Sequence, residues 1–215
     1  MVVYLIAIER TTVATAAVLL YTAPVWVVLL ARVLFAEPMT RMKIVALLLT
    51  FAGTVLVICG AGASGLRVDL YGIFAGLAAG LTYGLYSIFG KLTLRRYSPL
   101  TTVVYSLGFG ALLLLMASRG LRPVPADGRL ALVYLIAVPT VAAYLLYAAG
   151  LRRVEAGRAS IVATLEPVVA AAAGALILRE PFGAGQWLGA VLVLVGVALV
   201  QPDRQERKAE QPQIH

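Results

Sequence analysis

The stretch LEPVVAAAAGALILREP, residues 165–181, is an apolar run that opens on a carboxylate, Glu166, followed at once by Pro167. A charge inside a membrane span is costly, and a proline removes a backbone hydrogen bond. A span that carries both is expected where it faces a cavity rather than lipid. The stretch also has a counterpart. Shifting back by 143 residues, the distance from Pro167 to Pro24, gives TAPVWVVLLARVLFAEP, residues 22–38, with no gap. The shift also places Glu180-Pro181 on Glu37-Pro38, Gly196 on Gly53 and Tyr147 on Tyr4. The chain therefore contains an internal duplication.

Composition sets the solvent. Hydrophobic residues make up 61% of the 215, charged residues only 13%, and the mean hydropathy is +0.94. A water-soluble domain is nearer half apolar and a quarter charged, so this is an integral membrane protein whose first partner is the lipid bilayer. The net charge of +8 does not imply nucleic acid, because the basic residues are scattered between apolar runs, as loop-anchoring charges are. One cysteine, Cys59, and one histidine, His215, exclude an intrachain disulfide, a Cys₄ zinc site and an iron–sulfur cluster. No nucleophile, catalytic or metal-ligand constellation is present, which argues against an enzyme and against a bound cofactor or metal. Glu166 alone, without a partner base, does not make an intramembrane enzyme.

Seven complete spans are expected, at 12–36, 41–59, 70–91, 99–118, 130–151, 157–178 and 186–200, each near the ~20 residues that cross a bilayer. Residues 1–8 are too short to cross and match, through the shift, the last part of the 130–151 span. They read as the remnant of a further helix. Domain organisation follows as residues 1–62, the C-terminal part of a first repeat, residues 63–201, a complete second repeat, and residues 202–215, a polar tail. Twelve of the 18 lysines and arginines fall on alternate loops that include the tail, which puts those loops and the C-terminus in the cytosol. Corresponding loops of the two repeats carry opposite charge bias, and five spans per repeat is an odd number. The repeats are thus expected to be inverted. A complete first repeat would begin about 73 residues before Met1.

The Pro-centred helix that ends in Glu-Pro, present at Pro24…Glu37-Pro38 and at Glu166-Pro167…Glu180-Pro181, is followed each time by a glycine-bearing helix (Gly53, Gly196). This pattern resembles the EamA family, a branch of the drug/metabolite transporter superfamily. The resemblance covers residues 12–200, and what it matches is a member lacking its first two to three helices. It implies an inverted-repeat helical bundle in the cell membrane, a prokaryotic plasma membrane, and export of small metabolites such as amino acids or drug-like compounds by alternating access at a midplane cavity. The alternative is a non-transporting relic, or a partner subunit that completes a bundle with another chain. A homodimer is also open.

Glu166 lies about ten residues into its span, or about 15 Å, close to the midplane. There it either binds a cationic group or a proton, or is a protonated side chain that serves packing. Pro24, Pro139 and Pro167 are candidate kinks or hinges, and Pro24 and Pro167 free the carbonyls of Leu20 and Ala163. Tyr83 and Tyr105 are the deepest of five tyrosines that form either a substrate wall or an interfacial belt. Gly72, Gly76, Gly80 and Gly84 recur at every fourth residue, a face on which another helix can approach closely. The orientation is testable with single cysteines in a Cys59-free background. Residues 95–98 and the tail should resist an impermeant thiol reagent added to intact cells, while residues 122–127 should react. The reverse pattern would overturn the orientation.

Overall fold

The computed structural model describes residues 2–60, 69–117 and 128–200; the inter-repeat linker, the polar loop after the fourth span and the tail fall outside them. The described residues form helices α1 (Val2–Arg10), α2 (Val13–Leu20), α3 (Ala23–Phe35), α4 (Arg41–Gly60), α5 (Leu70–Leu94) and α6 (Pro99–Ala117). They continue with α7 (Arg129–Leu135), a π-helical segment (Ile136–Ala142), α8 (Ala143–Arg153), α9 (Ala156–Ala163), α10 (Leu165–Ile177) and α11 (Ala184–Leu199). Taking α2–α3, α7–α8 and α9–α10 each as one span, six spans are long and apolar enough to cross a membrane, and α11 is a shorter apolar helix of 16 residues. Their outward side chains are apolar and bare, as in Val33, Leu130 and Leu176, each 80% exposed or more. In a bilayer such side chains meet lipid, which is as apolar as they are.

The chain forms two compact units, Met1–Tyr86 with Ala156–His215, and Ser87–Glu155. Helix α5 contributes its first part to one and its last turns to the other. This division follows compactness and cuts across the sequence duplication.

In the first unit, α4 and α11 cross at glycines. A Cβ on Gly53 would lie 2.6 Å from the carbonyl oxygen of Gly189, and one on Gly189 would lie 2.6 Å from that of Gly53. Further along, Gly196 meets the backbone of Ala46 and Thr50, and Gly60 meets Gln186. Numbers that rise along α4 fall along α11, so the two helices are antiparallel. The 143-residue shift turns α4 into α11, Ala46 into Gly189 and Gly53 into Gly196. It therefore converts the Gly53–Gly189 contact into the Gly196–Ala46 contact, as a two-fold axis between inverted copies requires. Without a hydrophobic drive between helices in lipid, this close backbone approach and its dispersion contacts carry the association. Val57, Val168, Ala190, Val193 and Val197 pack beside it, and Val28, Ala46, Ile161 and Val200 form a second apolar cluster.

The repeat extends to backbone detail. Ala36 and Arg179, 143 apart, are the described non-glycine residues with positive φ, at 55° and 57°. The next amide of each reaches back to an equivalent carbonyl, Glu37 to Ala31 and Glu180 to Gly174, both at 3.3 Å. Each Glu-Pro pair thus follows a left-handed helix end. The glycine face of α5 is filled by the first helices. Gly72 faces Arg10 and Thr11, Gly76 faces Leu19, Gly80 faces Thr22 and the carbonyls of Leu19 and Leu20, and Gly84 faces Ala23 and Trp26.

In the second unit, α5 and α8 are tied by polar contacts. Ser87 and Tyr147 share a 2.7 Å hydrogen bond between hydroxyls, and Lys91 Nζ donates to the carbonyls of Leu151 and Val154 at 2.7 and 2.5 Å. An ammonium at the C-terminal end of a helix meets its unsatisfied carbonyls and the negative end of its dipole.

Gly189→Val should lower the melting temperature of the detergent-solubilised protein, since overpacking a close contact costs about 1–3 kcal/mol. Gly110→Ala is the control. A Cβ there meets nothing within 4 Å, so it should leave the melting temperature unchanged or raise it. Equal melting of Gly189→Val and the parent would show that the glycine crossing is dispensable.

Candidate functional site

Two spans are broken near their middles, at equivalent places in the two repeats. Between α2 and α3, Tyr21 and Thr22 have ψ of 8° and −11°, and between α9 and α10 Thr164 has ψ of −3°. Each break is followed within three residues by a proline, Pro24 or Pro167, which sits in the first turn of the next helix, where its missing N–H is harmless. In lipid the carbonyls released by a break need partners within the protein. Threonine reinforces the last turn before each break: Thr22 donates to Leu19 O from its N–H at 3.2 Å and its Oγ1 at 2.7 Å, and Thr164 to Ile161 O from its N–H at 3.1 Å and its Oγ1 at 2.6 Å. The Leu20 carbonyl faces Gly80 of α5, so its surroundings are backbone. Pro139 sits differently, inside the π-helical segment, where the extra residue per turn absorbs the ring.

Glu166 is the second residue of α10, immediately past a break. It occupies the positive end of a half-helix, the one place on a mid-span helix where a carboxylate gains from the dipole. Its side chain is exposed. Among the described residues no lysine or arginine forms an ion pair with it. Tyr21, at the break of the other repeat, and Tyr4 stand close enough to the Glu166 carboxylate to interact with it electrostatically, and Tyr83 stands beside Tyr21. The two helix breaks thus approach each other through Tyr21 and Glu166. The result is a mid-span carboxylate beside tyrosines from α1 and the α2–α3 break, with Tyr83 of α5 next to Tyr21. Chemically, this arrangement can hold a proton or a cationic group, with aromatic faces beside it.

Of the residues singled out in the sequence, Glu166 lies here, and Tyr83 is joined to it only through Tyr21. Tyr105 belongs to the other compact unit, where it lines a cavity of about 520 Å³ with Thr93, Tyr97, Thr102 and Phe109. The Thr102 hydroxyl there is buried without a hydrogen-bond partner among the described residues. Sequence reading missed Tyr21 and Tyr4. Tyr21 occupies the position equivalent to Thr164 under the shift, and Tyr4 is the counterpart of Tyr147, so the duplication held a signal for both. Among the described residues no three His, Cys, Asp or Glu side chains are grouped so as to hold a metal ion.

A second polar cluster lies where α3, α4 and α9 meet. Glu37, 7% exposed, accepts hydrogen bonds from the backbone N–H groups of Ala156 at 2.7 Å and Gly157 at 3.1 Å. Lys43 Nζ, equally buried, lies 3.7 Å from the same carboxylate. The Glu37 side chain thus reaches the start of α9, 119 residues away in sequence.

Inverted, broken helices around a mid-span carboxylate define a multi-pass membrane transporter rather than an enzyme. The chain belongs to the EamA-like transporter family, whose profile matches residues 1–59 and 70–201. It is 32% identical over 201 residues to an uncharacterized transporter of Archaeoglobus fulgidus, covering 91% of this chain and 70% of that one. It is 28% identical to the uncharacterized inner membrane transporter YicL of Salmonella typhimurium, covering 95% and 69%. It is 29% identical to a probable amino-acid metabolite efflux pump of the same organism, covering 78% and 60%. A solved crystal structure superposes with a TM-score of 0.78 at 22% identity, over 98% of this chain and 72% of that one, and supports the fold.

Proposed function

We propose that the protein exports small metabolites, amino acids or amine-bearing drug-like compounds, across the plasma membrane by alternating access around Glu166. The observation that supports this reading is Glu166 at the mid-span break of one repeat with Tyr21, at the equivalent break of the other, beside it. A substrate ammonium bound to this carboxylate meets both breaks, so binding at one point acts on both repeats. The name of the probable amino-acid metabolite efflux pump supports the substrate class. The basic end of the molecule, which carries Arg32, Lys43 and the C-terminus, is the cytosolic one in this reading. Pro24 and Pro167 fix the breaks at which the half-helices turn, and Tyr83 lines the path.

The test is Glu166→Gln in proteoliposomes with a panel of labelled amino acids. The glutamine variant keeps the shape and one acceptor but carries no charge. Apparent affinity for an amine-bearing substrate should drop about ten- to hundredfold, the scale of a lost hydrogen bond to a charged group. Transport at the parent rate and with the parent affinity would show that Glu166 is structural.

A further inference from the structure

We propose that Glu37 is a positioning residue of the transport cycle. It latches the start of α9, and through α9 the half-helix that carries Glu166, and it must release for that end of the path to open. The proposal rests on Glu166 being the substrate site.

The geometry is that of a clasp between helices rather than a local cap. The Glu37 carboxylate comes from beyond the end of α3, held there by the left-handed turn at Ala36. Its two oxygens divide between the amides of Ala156 and Gly157, the first donors of α9. Lys43, from the first turn of α4, balances the charge, and Arg32 Nη1 holds the carbonyl of Glu37 at 3.4 Å. Gly157 sits in a tight space. A Cβ there would stand 3.2 Å from Val28 Cγ2, 3.3 Å from Glu37 Oε2 and 3.5 Å from Lys43 Nζ. Helix α9 then runs through Ser160 and Ile161 to the break at Thr164, two residues before Glu166.

Among the described residues the equivalent contact is missing at the opposite end of the duplication. By the shift, Glu180 corresponds to Glu37, Gln186 to Lys43, and the start of α2 to the start of α9. Yet Glu180 Oε2 folds back over its own helix, so that a Cβ on Gly174 would lie 2.8 Å from it. Gln186 accepts from the N–H of Gly183 at 2.9 Å, and α2 is capped by its own Thr12, whose Oγ1 accepts from Thr15 N at 3.1 Å. A local threonine therefore suffices to satisfy a helix start in this fold. Using a buried carboxylate from another helix instead makes the position of α9 depend on α3 and α4. A contact made at one end and open at its symmetry-related end distinguishes the two ends of an inverted pair.

The experiment places a single cysteine at Ser160, 5% exposed and one turn inside the latch, in a Cys59→Ala background. Labelling by a small hydrophilic thiol reagent is then timed in proteoliposomes. Glu37→Gln keeps the size of the side chain but turns an amide N–H toward one of the α9 donors. It should speed labelling about tenfold, within the usual range of conformational coupling, with Glu37→Asp falling between it and the parent. A merely structural role predicts a lower melting temperature with unchanged labelling of the folded protein, and that result overturns the proposal. Gly157→Ala crowds the same contact from the other side, should also speed labelling, and stands in if Glu37→Gln does not insert. The readout needs no substrate. Faster labelling in a protein whose transport ignores Glu166→Gln keeps the latch and removes the substrate assignment, whereas unchanged labelling with Glu166-dependent transport does the reverse.

Discussion

Every backbone polar group in a membrane span must find its partner inside the protein, and the breaks in α2–α3 and α9–α10 are admissible only because this protein supplies such partners. Water is the usual partner for a helix end and is absent from hydrocarbon. Here Thr22 and Thr164 close the carbonyls of their own preceding turns, and the glycine face of α5 brings backbone against the first break. The sequence features that follow from this are specific. A proline can stand just past a break, a threonine must stand just before it, and the neighbouring helix must have no side chain where the break presses against it. Once the break is affordable, a carboxylate at its far side becomes so too, because Glu166 inherits the free N–H groups of a half-helix start.

That chain of dependence explains which parts were legible from sequence. The duplication, the spans and their inversion rest on period, length and charge, which are properties of a string of residues. Glu166 stood out because a charge and a proline together in an apolar run have few structural excuses. Pro24 and Pro167 were visible for the same reason, but they read as kinks within single helices. In the fold they are first-turn residues of separate half-helices, because the chain breaks just before them, at Tyr21–Thr22 and at Thr164. Tyr21 and Glu37 were not legible in their roles. Each acts on a partner more than a hundred residues away, and no local pattern separates a tyrosine that stands beside a carboxylate from one that sits at an interface. The α5 glycines show the reverse case, since a four-residue spacing announces a close approach without saying which helix arrives.

The two repeats share a backbone more faithfully than they share chemistry. Left-handed turns at Ala36 and Arg179, matching hydrogen bonds behind them, and a glycine crossing that maps onto itself all survive the shift of 143 residues. The polar side chains do not. Glu166 corresponds to Ala23, Thr164 to Tyr21, and Lys43 to Gln186. Backbone symmetry is what lets an inverted pair adopt two related arrangements of similar energy, because each arrangement uses the same packing with the copies exchanged. Side-chain asymmetry then decides which arrangement is favoured and what ligand changes the balance. A perfectly symmetric set of charges would offer two equivalent midplane sites and equal latches at both ends, leaving nothing for a substrate to choose between.

The buried Glu37–Lys43 pair illustrates how much bias one such asymmetry can hold. Removing one member of a buried charged pair costs about 3–5 kcal/mol, because the survivor is left without water or counter-charge. The two α9 amides would also lose their acceptor. A difference of that order between the ends of an inverted pair exceeds the about 2.7 kcal/mol that would populate one arrangement a hundredfold over the other, by the factor of ten per 1.4 kcal/mol. The pair therefore has to be weakened in place, by α9 moving and the carboxylate regaining solvent or another donor, rather than broken into an apolar surrounding. Lys43 and Arg32 are suited to that. Both belong to the same α3–α4 hairpin as Glu37 and would travel with it, so the carboxylate keeps a cation beside it whether or not α9 is held. The contact that changes is then the one between carboxylate and backbone amides, and the charge pair that would be costly to separate stays together.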